Sequence, residues 1–264
     1  MRSHGAACLL LCLLSVLPAP ALRAEETPPE MVVLLHGLAR TRRSLTKLER
    51  SLDAAGYRVQ CLQYPSRDGG PDELVADLHA QLDACCAGAE RVHFVTHSLG
   101  GILLRAYLVK HELPQLGRVV MLAPPNRGTE YVDLFRDLRL FKWAFGPTAL
   151  ELGTDPQSLP NRLPPVNFEL GVIAGTTGLN PLSPWVVAAP NDGTVSVQSA
   201  RIEGMSAFAT VPASHSFIMS SPLAIELTLE FLRSGRFASP EPWTRSRTGT
   251  GRGRRSQRAR RTVF

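Results

Sequence analysis

From residue 31 onward, short apolar runs rich in β-branched residues alternate with longer stretches whose apolar positions recur three to four apart. The runs Met31–Leu35, Tyr57–Gln63, Arg91–Thr96, Arg118–Ala123, Leu170–Ala174 and Ala207–Pro212 read as strands. Helical spacing falls between and after them, at about Thr41–Ala55, Pro71–Cys86, Leu99–Lys110 and Pro222–Gly235. In the second of these, Leu74, Leu78 and Leu82 form a stripe from which Asp77 and Asp83 stand clear, as on a helix packed against a sheet. Val32-Val33-Leu34-Leu35 is apolar at every position, which suits a strand buried on both faces. The alternation therefore predicts an α/β fold, three layers deep, with a mainly parallel six-stranded sheet between helices. In such sheets the ligand crevice lies beyond the carboxyl ends of the strands.

The ends of the chain break this pattern. An apolar run, Ala6–Leu17, follows Arg2, and Pro18-Ala19-Pro20-Ala21 offers small residues for a cut after Ala21. Residues 1–21 thus read as a secretory signal peptide, because a run this short falls below the ~18–20 residues that span a bilayer. A cut after Ala24 is the alternative, and the expected location is the periplasm or the external medium. The folded domain is expected at 22–239. Residues 240–264 hold eight arginines against Glu241, in a composition too poor in apolar side chains to order itself. This tail accounts for the net charge of +6 on the 264-residue chain, and the 22–239 body is close to neutral. A basic tail on a neutral body argues against a nucleic-acid-binding fold. The tail could touch an anionic surface or be a merely solvated end. Outside the leader, Cys61, Cys85 and Cys86 give no disulfide framework and read as buried thiols, so packing supplies the stability. No His/Cys spacing resembles a zinc site, and no Gly-rich loop resembles a phosphate cradle.

The chemistry sits where strands end. Arg91–Thr96 runs into His97-Ser98-Leu99-Gly100-Gly101 and then a helix, the setting of a nucleophile elbow in which a sharp turn leaves the Ser98 hydroxyl exposed. Thr96 stands where the first glycine of G-x-S-x-G is usual; a helix N-cap serine is the plainer reading of Ser98. An acyl-transfer site also needs amide donors for the developing oxyanion. The Leu99 amide is one candidate, and the amide of Leu38, after His36-Gly37, is the other. A hydroxyl nucleophile needs a base, and that base an orienting acid. Of seven histidines, His215 alone follows a strand and precedes a helix at the right edge, while Asp192 lies in a turn-forming Asn191-Asp192-Gly193 sequence after the preceding strand.

The order Ser98, Asp192, His215, with the elbow and the His-Gly loop, resembles the α/β-hydrolase superfamily, nearest its small bacterial lipase and esterase branch. The resemblance runs from about residue 31 to 234 and implies a strand order 2-1-3-4-5-6, an acyl-enzyme on Ser98, and no metal or organic cofactor. Pro124-Pro125-Asn126-Arg127-Gly128-Thr129 is similar to a turn that such lipases carry after the fourth strand, and is expected to shape the pocket floor. About 40 residues between Thr129 and Glu169 form a cap or lid insert (about 130–168), longer than a plain connection. Leu134, Phe135, Leu138, Phe141 and Phe145 recur there at helical spacing, Leu140 and Trp143 widen the stripe, and prolines from Pro147 on suggest an extended, stiff loop. Phe135, Leu138, Phe141 and Trp143 are the expected walls of an acyl site; packing on the sheet is the alternative. The expected activity is hydrolysis of a small-molecule or lipid carboxylic ester. An acyltransferase or amidase would use the same triad, and a catalytically silent lipid-binding protein is the reading from another class.

Overall fold

The computed structural model describes residues 30–237. The leader, the basic tail and the outermost residues of the expected 22–239 domain lie outside them. Six strands, β1 (Met31–Leu35), β2 (Arg58–Leu62), β3 (Val92–His97), β4 (Leu116–Leu122), β5 (Leu170–Gly175) and β6 (Ala207–Val211), pair in parallel throughout. Their order is β2-β1-β3-β4-β5-β6, as expected from the sequence. Alternate residues of the central strands point to opposite faces, and both faces are covered. Val33, Leu35, Phe94, Met121 and Val172 pack into one core with α2 (Pro71–Cys86) and α3 (Leu99–Lys110). Val32, Leu34, Val95, Val120 and Ile173 pack into a second with α1 (Thr46–Ala54) and the last helix, α10 (Pro222–Ser234). Each such side chain contributes about 1.5–3 kcal/mol by leaving water, which is why runs without alternation fold here as strands.

Helix ends follow local chemistry. Pro71 opens α2, and the Glu73 carboxylate accepts the Gly70 amide at 3.2 Å. Ser221 caps α10 ahead of Pro222, and Gly235 closes it in the left-handed conformation. The single helix expected from Thr41 begins instead as a 3-10 turn, Arg42–Leu45, before α1. The Ser44 and Thr46 hydroxyls bond back to the carbonyls of Thr41 and Arg43, three residues earlier, and favour that tighter winding.

The insert is four short helices: α4 (Glu130–Phe135), α5 (Arg139–Phe145), α6 (Pro147–Leu150) and α7 (Leu159–Arg162). Gly146, at φ 75° and pressed on the Arg67 carbonyl, ends α5, and Pro147 starts α6. The stretch expected to be extended therefore winds into two helical turns. Two more short helices, α8 (Ser183–Val186) and α9 (Val197–Ala200), lie between β5 and β6. The insert is tied to α3 by Arg105, which is buried with no acid beside it. Its guanidinium donates to the carbonyls of Asn126, Pro160, Leu163 and Pro164 at 3.2–3.3 Å, and burial lowers its pKa to about 10.

Candidate active site

Ser98 stands between β3 and α3 at φ 52° and ψ −121°, a region that a side chain enters at a cost of roughly 1–3 kcal/mol. Bonds on both sides hold it there: its amide donates to the Leu122 carbonyl, and its carbonyl accepts the Gly101 amide, each at 3.0 Å. The turn is tight enough to specify its glycines. A Cβ on Gly100 would lie 2.7 Å from the Leu35 carbonyl oxygen and 2.8 Å from that of His36. Only glycine lets α3 approach the end of β1 this closely. Thr96 occupies the place where a glycine is usual because Gly101 leaves it room; a Cβ on Gly101 would sit 3.1 Å from the Thr96 hydroxyl.

The structure brings the three predicted side chains together. His215 Nε2 is 3.0 Å from Ser98 Oγ, and His215 Nδ1 is 2.8 Å from Asp192 Oδ2. A carboxylate only accepts, so Nδ1 carries the proton and Nε2 presents its lone pair to the Ser98 hydroxyl. Asp192 is 2% exposed, and its other oxygen accepts the amides of Thr194 at 2.9 Å and Val195 at 2.7 Å. The backbone adds a second tie, the His215 amide donating to the Asp192 carbonyl at 2.9 Å. Asp155, an acid of the insert, is paired with Arg136 at 3.2 Å.

Two further histidines shape the site. His97 is buried behind the nucleophile, its ring 5.0 Å from that of His215. Its Nε2–H donates to the His215 carbonyl at 2.9 Å, and burial drives its pKa well below the usual value, so the ring is neutral. His36 bonds the Gly37 carbonyl through Nδ1 at 2.9 Å and stacks on Tyr64 with centroids 4.1 Å apart, while the Tyr64 hydroxyl donates to the His36 carbonyl. Burial lowers its pKa as well. These contacts fix the turn after β1. Ala39 there takes φ 52°, its amide held by Ser66 Oγ at 3.1 Å. Gly37 is needed for the same closeness, since a Cβ would meet His97 Nδ1 at 2.8 Å and Ser98 Cβ at 3.1 Å. The Leu38 and Leu99 amides take no hydrogen-bond acceptor among the described residues. They are two free donors, on the β1 turn and at the first position of α3, on either side of Ser98.

Above these groups lies a cavity of about 540 Å³. Ser98, His215, Leu38 and Arg40 reach it from the strand ends, and Tyr131, Val132, Phe135, Phe141, Phe145 and Leu152 wall it from the insert. Of the expected acyl-site walls, Phe135 and Phe141 line the cavity. Leu138 and Trp143 do not; they are 54% and 76% exposed. The reason is the break after α4, where the Arg136–Leu138 turn shifts the phase of the stripe, so that Phe141 and Phe145, not Leu138, continue it inward. Sequence reasoning missed Leu152, Val132 and Tyr131, which lie outside that stripe. The turn after β4 does form cavity floor: Pro125 and Thr129 line it. Thr129 Oγ1 donates to the Thr194 carbonyl at 2.6 Å, linking this turn to the loop that carries Asp192. A smaller cleft of about 220 Å³ opens alongside, between His215, Asn180, Leu179 and Phe217. No group of His, Cys, Asp and Glu that could hold a metal ion is found among the described residues.

Comparison with known proteins agrees with this architecture. A family model described as the alpha/beta hydrolase family matches residues 32–226. No curated protein matches the chain by sequence. Among solved structures, the mature lipase BlEst2 of Bacillus licheniformis superposes with a TM-score of 0.58 at 18% identity, covering 81% of this chain and 96% of its own. A metagenomic carboxyl esterase, MGS0156, gives a TM-score of 0.60 at 20% identity, over 80% of this chain and 75% of its own. Phospholipase PlaB of Legionella pneumophila gives 0.63 at 16% identity over 80% of this chain, which spans only 60% of PlaB. At these identities the likeness is one of fold.

Proposed function

The chain belongs to the alpha/beta hydrolase family, and on that footing we propose that it is a serine ester hydrolase working through an acyl-enzyme on Ser98. The observation that carries this reading is the unbroken relay from Ser98 Oγ through both nitrogens of His215 to Asp192, with spacings of 3.0 and 2.8 Å. In the reaction, Ser98 Oγ attacks the ester carbonyl while His215 Nε2 takes its proton. Asp192, already hydrogen-bonded at Nδ1, stabilises the imidazolium. The carbonyl oxygen gains negative charge and is met by the free amides of Leu38 and Leu99; one such donor is worth roughly 3–4 kcal/mol in the transition state. Collapse expels the alcohol, which leaves with the proton from Nε2. A water then repeats the sequence on the acyl-enzyme, with His215 as base, and releases the acid.

The aromatic and aliphatic walls supplied by the insert favour an acyl chain over a polar acid portion. Residues 1–21 support export, since a charged start, a short apolar run and small residues before Ala21 are what a secretory leader requires. A panel of nitrophenyl esters from acetate to palmitate tests the activity. Wild type should turn over at least one member and Ser98→Ala none above background; equal rates in the two proteins would defeat the reading.

A further inference from the structure

Eleven large apolar side chains are well exposed among the described residues, and nine of them fall in only three places: residues 134–145, residues 179–185 and Phe217. All three places border the site. Phe145 and Leu182 are exposed and also line the cavity, while Leu179 and Phe217 line the cleft beside His215. Trp143 and Leu140 project from α5, whose opposite face supplies Phe141 and Phe145 to the cavity, and they are 76% and 72% exposed. Trp185, 81% exposed, projects from α8, and Glu130 at the start of α4 accepts the Ala188 amide just beyond α8 at 3.3 Å. The mouth of the cavity is thus ringed by apolar side chains that no part of residues 30–237 covers.

Charge says what kind of surface meets this ring. Residues 136–145 carry Arg136, Arg139 and Lys142 against one acid, Asp137. Arg136 is engaged by Asp155, whereas no acid pairs with Arg139 or Lys142 among the described residues. Arg139-Leu140-Phe141-Lys142-Trp143 therefore alternates unpaired cations with large apolar groups, the arrangement that settles into the boundary between headgroups and acyl chains. Such a segment gains from apolar burial and from anionic headgroups together. The eight arginines of residues 240–264 add charge of the same sign. Geometry narrows the occupant further. A protein seated on the ring would stopper the cavity, whereas a lipid surface covers the mouth and supplies the substrate at once.

We propose that the ring around the cavity mouth, anchored by Leu140, Trp143, Trp185 and Phe217, docks this protein on an anionic lipid surface from which the acyl chain enters the cavity. This rests on reading the site as an ester hydrolase, and it narrows the substrate to esters presented in lipid aggregates. The test uses the double variant Leu140→Gln/Trp185→Gln, both positions being solvated and outside the cavity wall. Wild type should co-sediment with vesicles of equimolar phosphatidylcholine and phosphatidylglycerol, more weakly with phosphatidylcholine alone, with a blue shift of tryptophan emission. The variant's partition coefficient should fall about tenfold or more, the scale set by two large apolar anchors. Its hydrolysis of a vesicle-borne long-chain ester should fall in proportion, while hydrolysis of a soluble nitrophenyl ester stays within about twofold.

Equal partitioning of wild type and variant would overturn the proposal. So would a wild type that ignores both vesicles and sediments as a dimer dissolved by the variant, which would make the ring a contact between copies. Vesicle binding without cleavage of any ester would leave the docking face standing and remove the hydrolase reading. Cleavage of soluble esters without vesicle binding would do the reverse.

Discussion

Replacing Asp192 by Asn isolates the role of the acid, because the surrounding bonds dictate how the new side chain must sit. One oxygen of Asp192 accepts two amides, from Thr194 at 2.9 Å and Val195 at 2.7 Å, and an asparagine can keep both only by leaving its carbonyl oxygen there. Its NH2 group then faces His215 Nδ1, where the second carboxylate oxygen stood at 2.8 Å. Two donors cannot share that contact, so the imidazole shifts its proton to Nε2 and presents N–H, not a lone pair, to Ser98. The turn survives and the base is lost. The same exchange in serine proteases lowers kcat by about 10⁴, which corresponds to ~5.5 kcal/mol of transition-state stabilisation. Stability should change little, by about 1 kcal/mol, since a single hydrogen bond is exchanged for another arrangement. The assay is kcat on a soluble nitrophenyl ester, with urea unfolding of the same preparations. A variant within about tenfold of wild type would refute the orienting role of Asp192. A variant that loses activity only because it unfolds would show instead that the turn, not the charge, was removed.

Three other perturbations test other parts of the account. His36 and His97 are buried and neutral, with pKa values lowered by burial, so below about pH 6.5 the unfolded chain binds protons that the folded chain declines. Stability should therefore fall on acidification, by up to ~1.4 kcal/mol per pH unit for each ring, and the slope of urea midpoint against pH should flatten in His97→Gln; a slope unchanged in that variant would be against it. Gly100→Ala gains up to ~1 kcal/mol in helix propensity but forces a methyl onto two carbonyl oxygens that belong to backbone and cannot turn aside. The net effect should be a loss of about 2 kcal/mol with reduced kcat/KM, and a stabilised, fully active variant would contradict the packing argument. Arg105→Met removes the donor that serves four carbonyls of the insert and the turn after β4. It should cost about 2–4 kcal/mol in thermal or urea unfolding, because the Asn126 and Pro160 carbonyls stay buried without a donor, whereas those of Leu163 and Pro164 can turn to water.

How much of this was legible in the sequence depends on what determines each part. Strands such as Met31–Leu35 and Leu170–Ala174 are buried on both faces, so their apolar runs announced them directly. The triad candidates were legible because Ser98 and His215 come just after strands and Asp192 lies in a turn-forming sequence between β5 and β6, and the structure brings all three to the same end of the sheet. The insert was less readable. Its helical stripe is interrupted at Arg136–Leu138 and by Gly146, so side chains that share a period do not share a face: Phe141 and Phe145 turn to the cavity, Leu138 and Trp143 to solvent. Nothing local distinguishes Leu152 or Val195, which enter the cavity through long-range packing. Arg105 sits mid-helix in an apolar stretch, where a charge reads as an exposed position; only the distant carbonyls of the insert explain its burial. The departure at Thr96 becomes intelligible once Gly101 is seen beside its hydroxyl, a relation between two positions that no single motif residue reveals.

The most direct test of the central claim is covalent. Treatment with a fluorophosphonate probe, followed by proteolysis and mass spectrometry, should find a single adduct on Ser98, formed faster in wild type than in His215→Ala and absent from Ser98→Ala. A folded protein that takes up no probe, or takes it up at another residue with Ser98 free, would contradict the account.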